Sequence, residues 1–264
     1  MTEITAAMVK ELRDATSAGM MDCKRALQET DGDFDAAVKL LREKGMASAA
    51  KRAGRDTTEG VVLTQSDDDT GTIVAVGCET EPVSKNEDFQ AFARDVLREV
   101  HDRGESAVEV LEDRRAELAS RLGENIVVAG ARRMRADHGE HLVSYVHPPA
   151  RKIGVLVKVD GGSPELPLQL AMHIAFARPT YSSRDQIPPD LVQAECEILE
   201  RLDEVASKPE DVRGKIVEGM LNKRFYAESV LGEQTWIHDT SLTVSKAIEQ
   251  GGLELVDYVW LSVG

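Results

Sequence analysis

Glu59-Gly60-Val61-Val62-Leu63, a polar turn over 65–70, then Gly71-Thr72-Ile73-Val74-Ala75-Val76-Gly77-Cys78: two strand-like runs, close enough in sequence to pair as a hairpin. A helical stretch follows at about 87–103, with Phe89, Phe92, Ala93, Val96, Leu97 and Val100 on one face. The same order returns further along. Residues 140–147 read as a strand, 148–151 as a turn, 152–159 as an apolar strand, and about 164–177 as a helix with Leu166, Leu168, Leu170, Ala171 and Ile174. In both units the second strand begins about twelve residues after the first, which indicates an internal duplication. Each unit predicts a small antiparallel sheet with a helix over one face, and the fold class is α+β.

Before the first unit the period is helical. Ile4, Met8, Val9 and Leu12 stripe a helix ending near 16–19, and a second runs from about Met20 or Asp22 to Glu29 with Ala26 and Leu27 inward. Asp31-Gly32-Asp33 is a turn whose second Asp can cap a third helix with Phe34, Ala37, Val38, Leu40 and Leu41, and Gly45 supplies a left-handed stop. Three short helices make a small bundle of the kind used for binding. Residues 46–58 turn small and basic (Lys51, Arg52, Arg55) and read as a linker, part of it helical.

Between the two units, 107–122 reads as a charged amphipathic helix, and Ile126-Val127-Val128 as strand-like, ending in Arg132, Arg133 and Arg135. After the second unit, Pro188-Pro189 opens a helix with Leu191, Ile198 and Val205 spaced by sevens. Lys208-Pro209 breaks it, and a second helix carries Val212, Ile216 and Met220. This antiparallel hairpin is too short for a free coiled coil and should dock on the body or on a partner. The tail from Leu253 to Val263 reads as a strand closing the second sheet. The expected organisation is a bundle with basic linker over 1–54, a first core unit over 55–139, a second over 140–180 and 227–264, and the hairpin inserted at 181–226.

Composition narrows the function. In 264 residues, 32 basic side chains against 47 acidic ones leave a formal net charge of −15, which repels a phosphate backbone and argues against direct nucleic-acid binding. No run approaches the length of a membrane span. Glu3, Lys10 and Glu11 interrupt any signal-peptide core. The three cysteines, Cys23, Cys78 and Cys196, have no metal or redox spacing and fit a reducing cytoplasm. There is no P-loop and no dinucleotide fingerprint. His138 and His141 lack a third ligand, and Asp67-Asp68-Asp69 reads as a solvated hairpin tip. No cofactor, metal or catalytic residue is expected.

The stretch from Leu12 to Leu27, Leu-Arg-Asp-Ala-Thr-Ser-Ala-Gly-Met-Met-Asp-Cys-Lys-Arg-Ala-Leu, resembles the N-terminal signature of bacterial translation elongation factor Ts. Cys78-Glu79-Thr80 with Val83-Ser84-Lys85-Asn86 is similar to the family's second signature. Gly123-Glu124-Asn125-Ile126, Ile153 to Val157, Met172-His173-Ile174-Ala175 and Ile216 to Lys223 follow in family order. The resemblance implies a guanine-nucleotide exchange factor, not an enzyme, that binds elongation factor Tu in its GDP form. It also implies a bundle like ubiquitin-associated domains, a duplicated core and a coiled-coil hairpin. Contacts would fall on the partner's nucleotide-binding domain and on a second domain, with a homodimer through the hairpin equally compatible. The alternative is a binding or chaperone module that holds Tu without accelerating exchange.

Carried over by residue, the resemblance assigns partner contacts to Leu12, Arg13, Met20, Met21, Thr80, Glu81, Pro82, Val83, Leu122, Gly123 and His147. Leu12 also suits the bundle core, and one methionine is expected inside and one outside. His147 equally suits a strand end bonded to its neighbours. The family presents Thr-Asp-Phe-Val where this sequence has Thr80-Glu81-Pro82-Val83, so the carboxylate is kept and the aromatic wedge is lost. Longer members continue past the last strand with a C-terminal helix. With the sequence stopping at Gly264, that contact is expected to be missing, leaving the second unit and hairpin to reach the partner's second domain.

Overall fold

The computed structural model describes residues 4–16, 18–52, 54–67 and 69–264, with the backbone alone over 46–51. Glu3, Ser17 and Asp68, Ala53 of the linker and the side chain of Lys51 lie outside the described residues.

Helices α1 (Ala6–Thr16), α2 (Met20–Glu29) and α3 (Phe34–Arg52) form the N-terminal bundle, resembling a ubiquitin-associated domain. Its core is Val9, Leu12, Cys23, Ala26, Leu27 and Ala37, the apolar faces expected from the helical period. Asp33 Oδ1 accepts from Ala36 N at 2.9 Å at the start of α3. Gly45 does not stop that helix. The following Met-Ala-Ser-Ala-Ala run favours helix and carries it on to Arg52. The glycine is instead a point of close approach, since a Cβ there would lie 2.8 Å from Ser120 Oγ.

The core holds two three-stranded antiparallel sheets of the same topology. Strands β1 (Glu59–Ser66), β2 (Thr70–Cys78) and β3 (Ile126–Arg135) form one, with β2 central, so the arginine cluster ends a strand. Between β2 and β3 lie a single turn α4 (Glu81–Ser84), α5 (Glu87–Arg103) and α6 (Glu112–Leu122). The helix expected from 107 begins only at Glu112, because Glu105–Leu111 winds as a tighter 3-10 stretch that turns Ala107 and Leu111 inward. Strands β4 (Glu140–Val146), β5 (Ile153–Gly161) and β6 (Leu253–Ser262) form the second sheet, under α7 (Leu166–Ala177).

Each sheet has a helix on one face and the other sheet on the other. Val61, Leu63, Val74 and Val76 face Phe89, Phe92, Val96 and Val100 of α5, while Val62, Ile73 and Ala75, with Met134 of the same sheet, pack against Leu156 of the second sheet. Two buried faces explain why β2 runs apolar from Ile73 to Cys78 instead of alternating, and is buried at every position. Gly154 keeps the sheets close, since a Cβ there would sit 2.6 Å from Val62 Cγ1.

The hairpin follows as α8 (Pro189–Glu200), α9 (Asp203–Ala206) and α10 (Glu210–Met220), continuing as a π-helical turn over Leu221–Tyr226. Of the three residues spaced by sevens, only Val205 reaches its seam. The first helix ends at Glu200, ahead of Lys208-Pro209, and Leu191 and Ile198 stay exposed. The hairpin buries Leu199, Val205, Val217 and Leu221, with Cys196 and Leu202 alongside, so the face one residue round from Ile198 turns inward. It stands on its own small core. At its base Arg184 pairs with Glu233, donates to Asn222 Oδ1 at 2.8 Å and lies 4.0 Å over the Tyr226 ring. Residues 227–252 close the second unit through α11 (Ala227–Ser229), the indole of Trp236 and α12 (Val244–Gln250).

Candidate functional site

At the end of β2 the chain leaves the sheet at buried Cys78, whose thiol burial pushes up to about 12; it donates to Thr80 O and has no reactive thiolate. Thr80 is extended and stands just before the single turn α4, with Pro82 in its first turn where a missing N–H costs nothing. Glu81 and Pro82 are exposed, and Val83 leans on the core below. Lys85 Nζ donates to Glu81 Oε1 at 2.7 Å, which holds the Glu81 carboxyl below the usual carboxylate range and raises Lys85.

The neighbouring loop holds this turn in place. Helix α6 ends at Leu122, half-buried against the core, and Gly123 turns the chain back in the left-handed conformation (φ +77°). Glu124 then accepts from Glu79 N (3.0 Å), Thr80 N (3.1 Å) and the Thr80 hydroxyl (2.5 Å). In return Glu79 Oε1 accepts from Asn125 N at 2.6 Å, and Arg55 steadies Glu79 at 3.3 Å. Thr80–Val83 and Leu122–Gly123 are thus brought together.

His147 is exposed at the end of β4, its Nδ1 2.7 Å from Tyr145 Oη and its backbone N donating to Ile153 O. The turn after it reaches the same end of the core, because Lys152 Nζ donates to Glu59 Oε1 at 2.6 Å and Glu59 pairs with Cys78. Arg13, Met20 and Met21 are exposed on the bundle, the methionines at 47% and 63%, so the expected one-in, one-out division is overturned. The face of α2 that packs inward is Cys23, Ala26 and Leu27, and the methionines occupy the open first turn. Leu12 is wholly buried and holds the bundle together from inside. The bundle leans on α6 through Arg42–Asp113 (2.9 Å) and Arg52 Nη1 to Ala119 O (3.5 Å), leaving a cleft of about 950 Å³ lined by Gly19, Arg25, Arg114 and Arg121.

Glu79, Glu124 and Asn125 fall in family motifs and Arg55 in the linker, but sequence reading gives none of them a role at the site. The signal was present in Gly123-Glu124-Asn125, a carboxylate just past a left-handed helix end, but its target lies 44 residues away. One cluster has the outline of a catalytic relay: Thr72 Oγ1 is 2.9 Å from His101 Nδ1, and His101 Nε2 is 2.9 Å from Asp67 Oδ2. Thr72 is fully buried on the central strand, so no substrate reaches it, and the relay ties the hairpin tip to α5. Among the described residues no group of three or more His, Cys, Asp or Glu could hold a metal, and no helix is long and apolar enough to cross a membrane.

A three-helix bundle, a duplicated α+β core and a helical hairpin, with the candidate residues on loop tips and helix ends, define a modular protein factor whose site is a surface. A family model described as Elongation factor TS matches residues 79–264. The chain is 42% identical over 277 residues to Elongation factor Ts of Ruegeria pomeroyi, covering 99% of this chain and 92% of that one. It is 37% identical over 271 residues to Elongation factor Ts of Idiomarina loihiensis (99% and 91%), and 37% over 268 residues to that of Serratia proteamaculans (100% and 93%). The chain belongs to the elongation factor Ts family, and its role is in translation elongation.

Proposed function

We propose that this chain speeds GDP release from elongation factor Tu by binding the GDP form and disturbing the Mg²⁺ and phosphate site, after which GTP rebinds. The observation that carries the reading is the Thr80–Val83 turn, clasped by Glu124 with Glu81 and Pro82 facing outward. Glu81, held ionised by Lys85, is a carboxylate suited to compete with phosphate oxygens for a hard cation. Backbone amides and the cation hold the nucleotide, so a small shift of that loop loosens it. Pro82 has no ring to insert, and the turn acts by its charge and shape.

Met20, Met21 and Arg13 are assigned to the partner's nucleotide-binding domain, with Gly123 and His147. Thioethers suit an adaptable contact. The second sheet unit and the hairpin, with exposed Leu191 and Ile198, are assigned to the partner's second domain. No bond is made or broken by this chain. By linkage, whatever it does to weaken GDP, GDP must do to weaken it. The test is stopped-flow release of fluorescent GDP from elongation factor Tu. Acceleration by substoichiometric amounts is expected, and binding without acceleration would leave a holding module in place of an exchange factor.

A further inference from the structure

The turn bearing Glu81 and Pro82 is closed from within by Ser84, whose N and Oγ donate to Thr80 O (3.1 Å) and Glu81 O (2.8 Å), and it is joined to β2 by Glu79 and Thr80, which are held from outside. It is four residues long, and Thr80 makes no side-chain cap to it, because its hydroxyl is turned to Glu124. The amides of Glu79 and Thr80 lie just past the last β2 pair at Cys78, beyond the reach of the sheet ladder. All three donors converge on one carboxylate that arrives from the far end of α6.

The clasp is reciprocal. Glu79 Oε1 takes the amide of Asn125, the residue after Glu124, and Asn125 Nδ2 donates to Arg55 O at 2.8 Å. Two loops that diverge from adjacent strands are therefore knitted at both carboxylates. A turn held in place keeps Glu81 and Pro82 in the orientation their task needs throughout the complex, whereas a free one holds it only part of the time.

We propose that Glu124 is a positioning residue for exchange: it touches no nucleotide, but its carboxylate presents Glu81 and Pro82 in the working orientation. This rests on the exchange reading above. The requirement is geometric and independent of charge. A glutamine would serve, since its single oxygen can accept from both amides while its NH₂ donates to the Thr80 hydroxyl, which can accept as readily as donate.

Full-length wild type, Glu124→Ala, Glu124→Gln and Glu124→Asp are compared in stopped-flow GDP release across a range of concentrations, with hydrogen exchange of the Thr80 amide followed in each. Glu124→Ala is expected to lower the maximal rate about tenfold, to move the half-saturating concentration by less than about threefold, and to speed exchange of the amide. Glu124→Gln is expected to match wild type in all three. Glu124→Asp keeps the charge but withdraws it by one methylene, so it should fall between them, and it serves if the alanine variant does not fold. A full maximal rate in Glu124→Ala, or a glutamine variant as impaired as the alanine one, overturns the positioning role. A wild type that fails to speed release overturns the exchange reading, and this inference with it.

Discussion

Replacing both Met20 and Met21 by alanine separates contact from core. The two side chains keep 47% and 63% of their surface exposed, so about half of each remains to be covered by a partner. Full burial of a methionine stabilises by about 1.5–3 kcal/mol, so covering the exposed half contributes about 1 kcal/mol each, about 2 for the pair. That is about a thirtyfold loss of affinity. Stability should change by no more than about 0.5 kcal/mol, because exposed positions tolerate truncation and alanine is at least as good a helix former. The assay is a binding titration against nucleotide-free elongation factor Tu, with denaturant unfolding in parallel. The half-saturating concentration for GDP release should rise by the same factor, while the maximal rate is regained at high concentration, since the pair supplies grip and not the disturbance of the nucleotide. An affinity unchanged within about threefold would refute the contact. A stability loss well above 1 kcal/mol would show that the pair packs inside after all.

Leu12→Ala should behave in the opposite way: its side chain is wholly buried, so denaturant unfolding should show a loss of about 2–5 kcal/mol in the bundle, and an unchanged midpoint would contradict the packing. Glu81→Ala with Pro82→Ala removes an exposed ion pair and a turn residue, so folding should be unaffected while the maximal rate of GDP release drops; undiminished release would remove this turn from the mechanism. His173 is buried against Trp236 with its pKa pushed below the ordinary 6.5 by burial, so its native form is neutral and the unfolded chain takes up the proton first. Stability from this group is therefore full above 6.5, is lost as pH falls from there towards the lowered native value, and levels below it. Urea unfolding followed from about pH 7.5 to 5 should show that slope, and His173→Gln should flatten it.

Most of the architecture was legible because it is written in short-range periods. The helical stripe of Val9 and Leu12, the face of α5 from Phe89 to Val100, and the two hairpins at 59–78 and 140–161 each depend on neighbours within a few positions. Two of the readings that failed turned on something far off in the chain. Gly45 looks like a helix end by itself, and becomes a packing notch only because Ser120 lies against it. Leu191 and Ile198 keep a seven-residue spacing, yet the hairpin's two arms meet through Leu199 and Val217.

The surface divides along the same line. Residue types and their order along the chain were enough to name the family resemblance and to pick out Met20, Met21 and Thr80–Val83, because those signatures are contiguous. Burial then sorted them: Leu12 went to the inside and both methionines to the outside. The local pattern at Gly123-Glu124 offered a carboxylate but not its target, since a hydrogen bond across 44 residues exists only once two sheet-end loops have been folded onto each other. Local periodicity encodes which face is apolar; which atoms then meet depends on the chain's return path, and that is a property of the packed molecule.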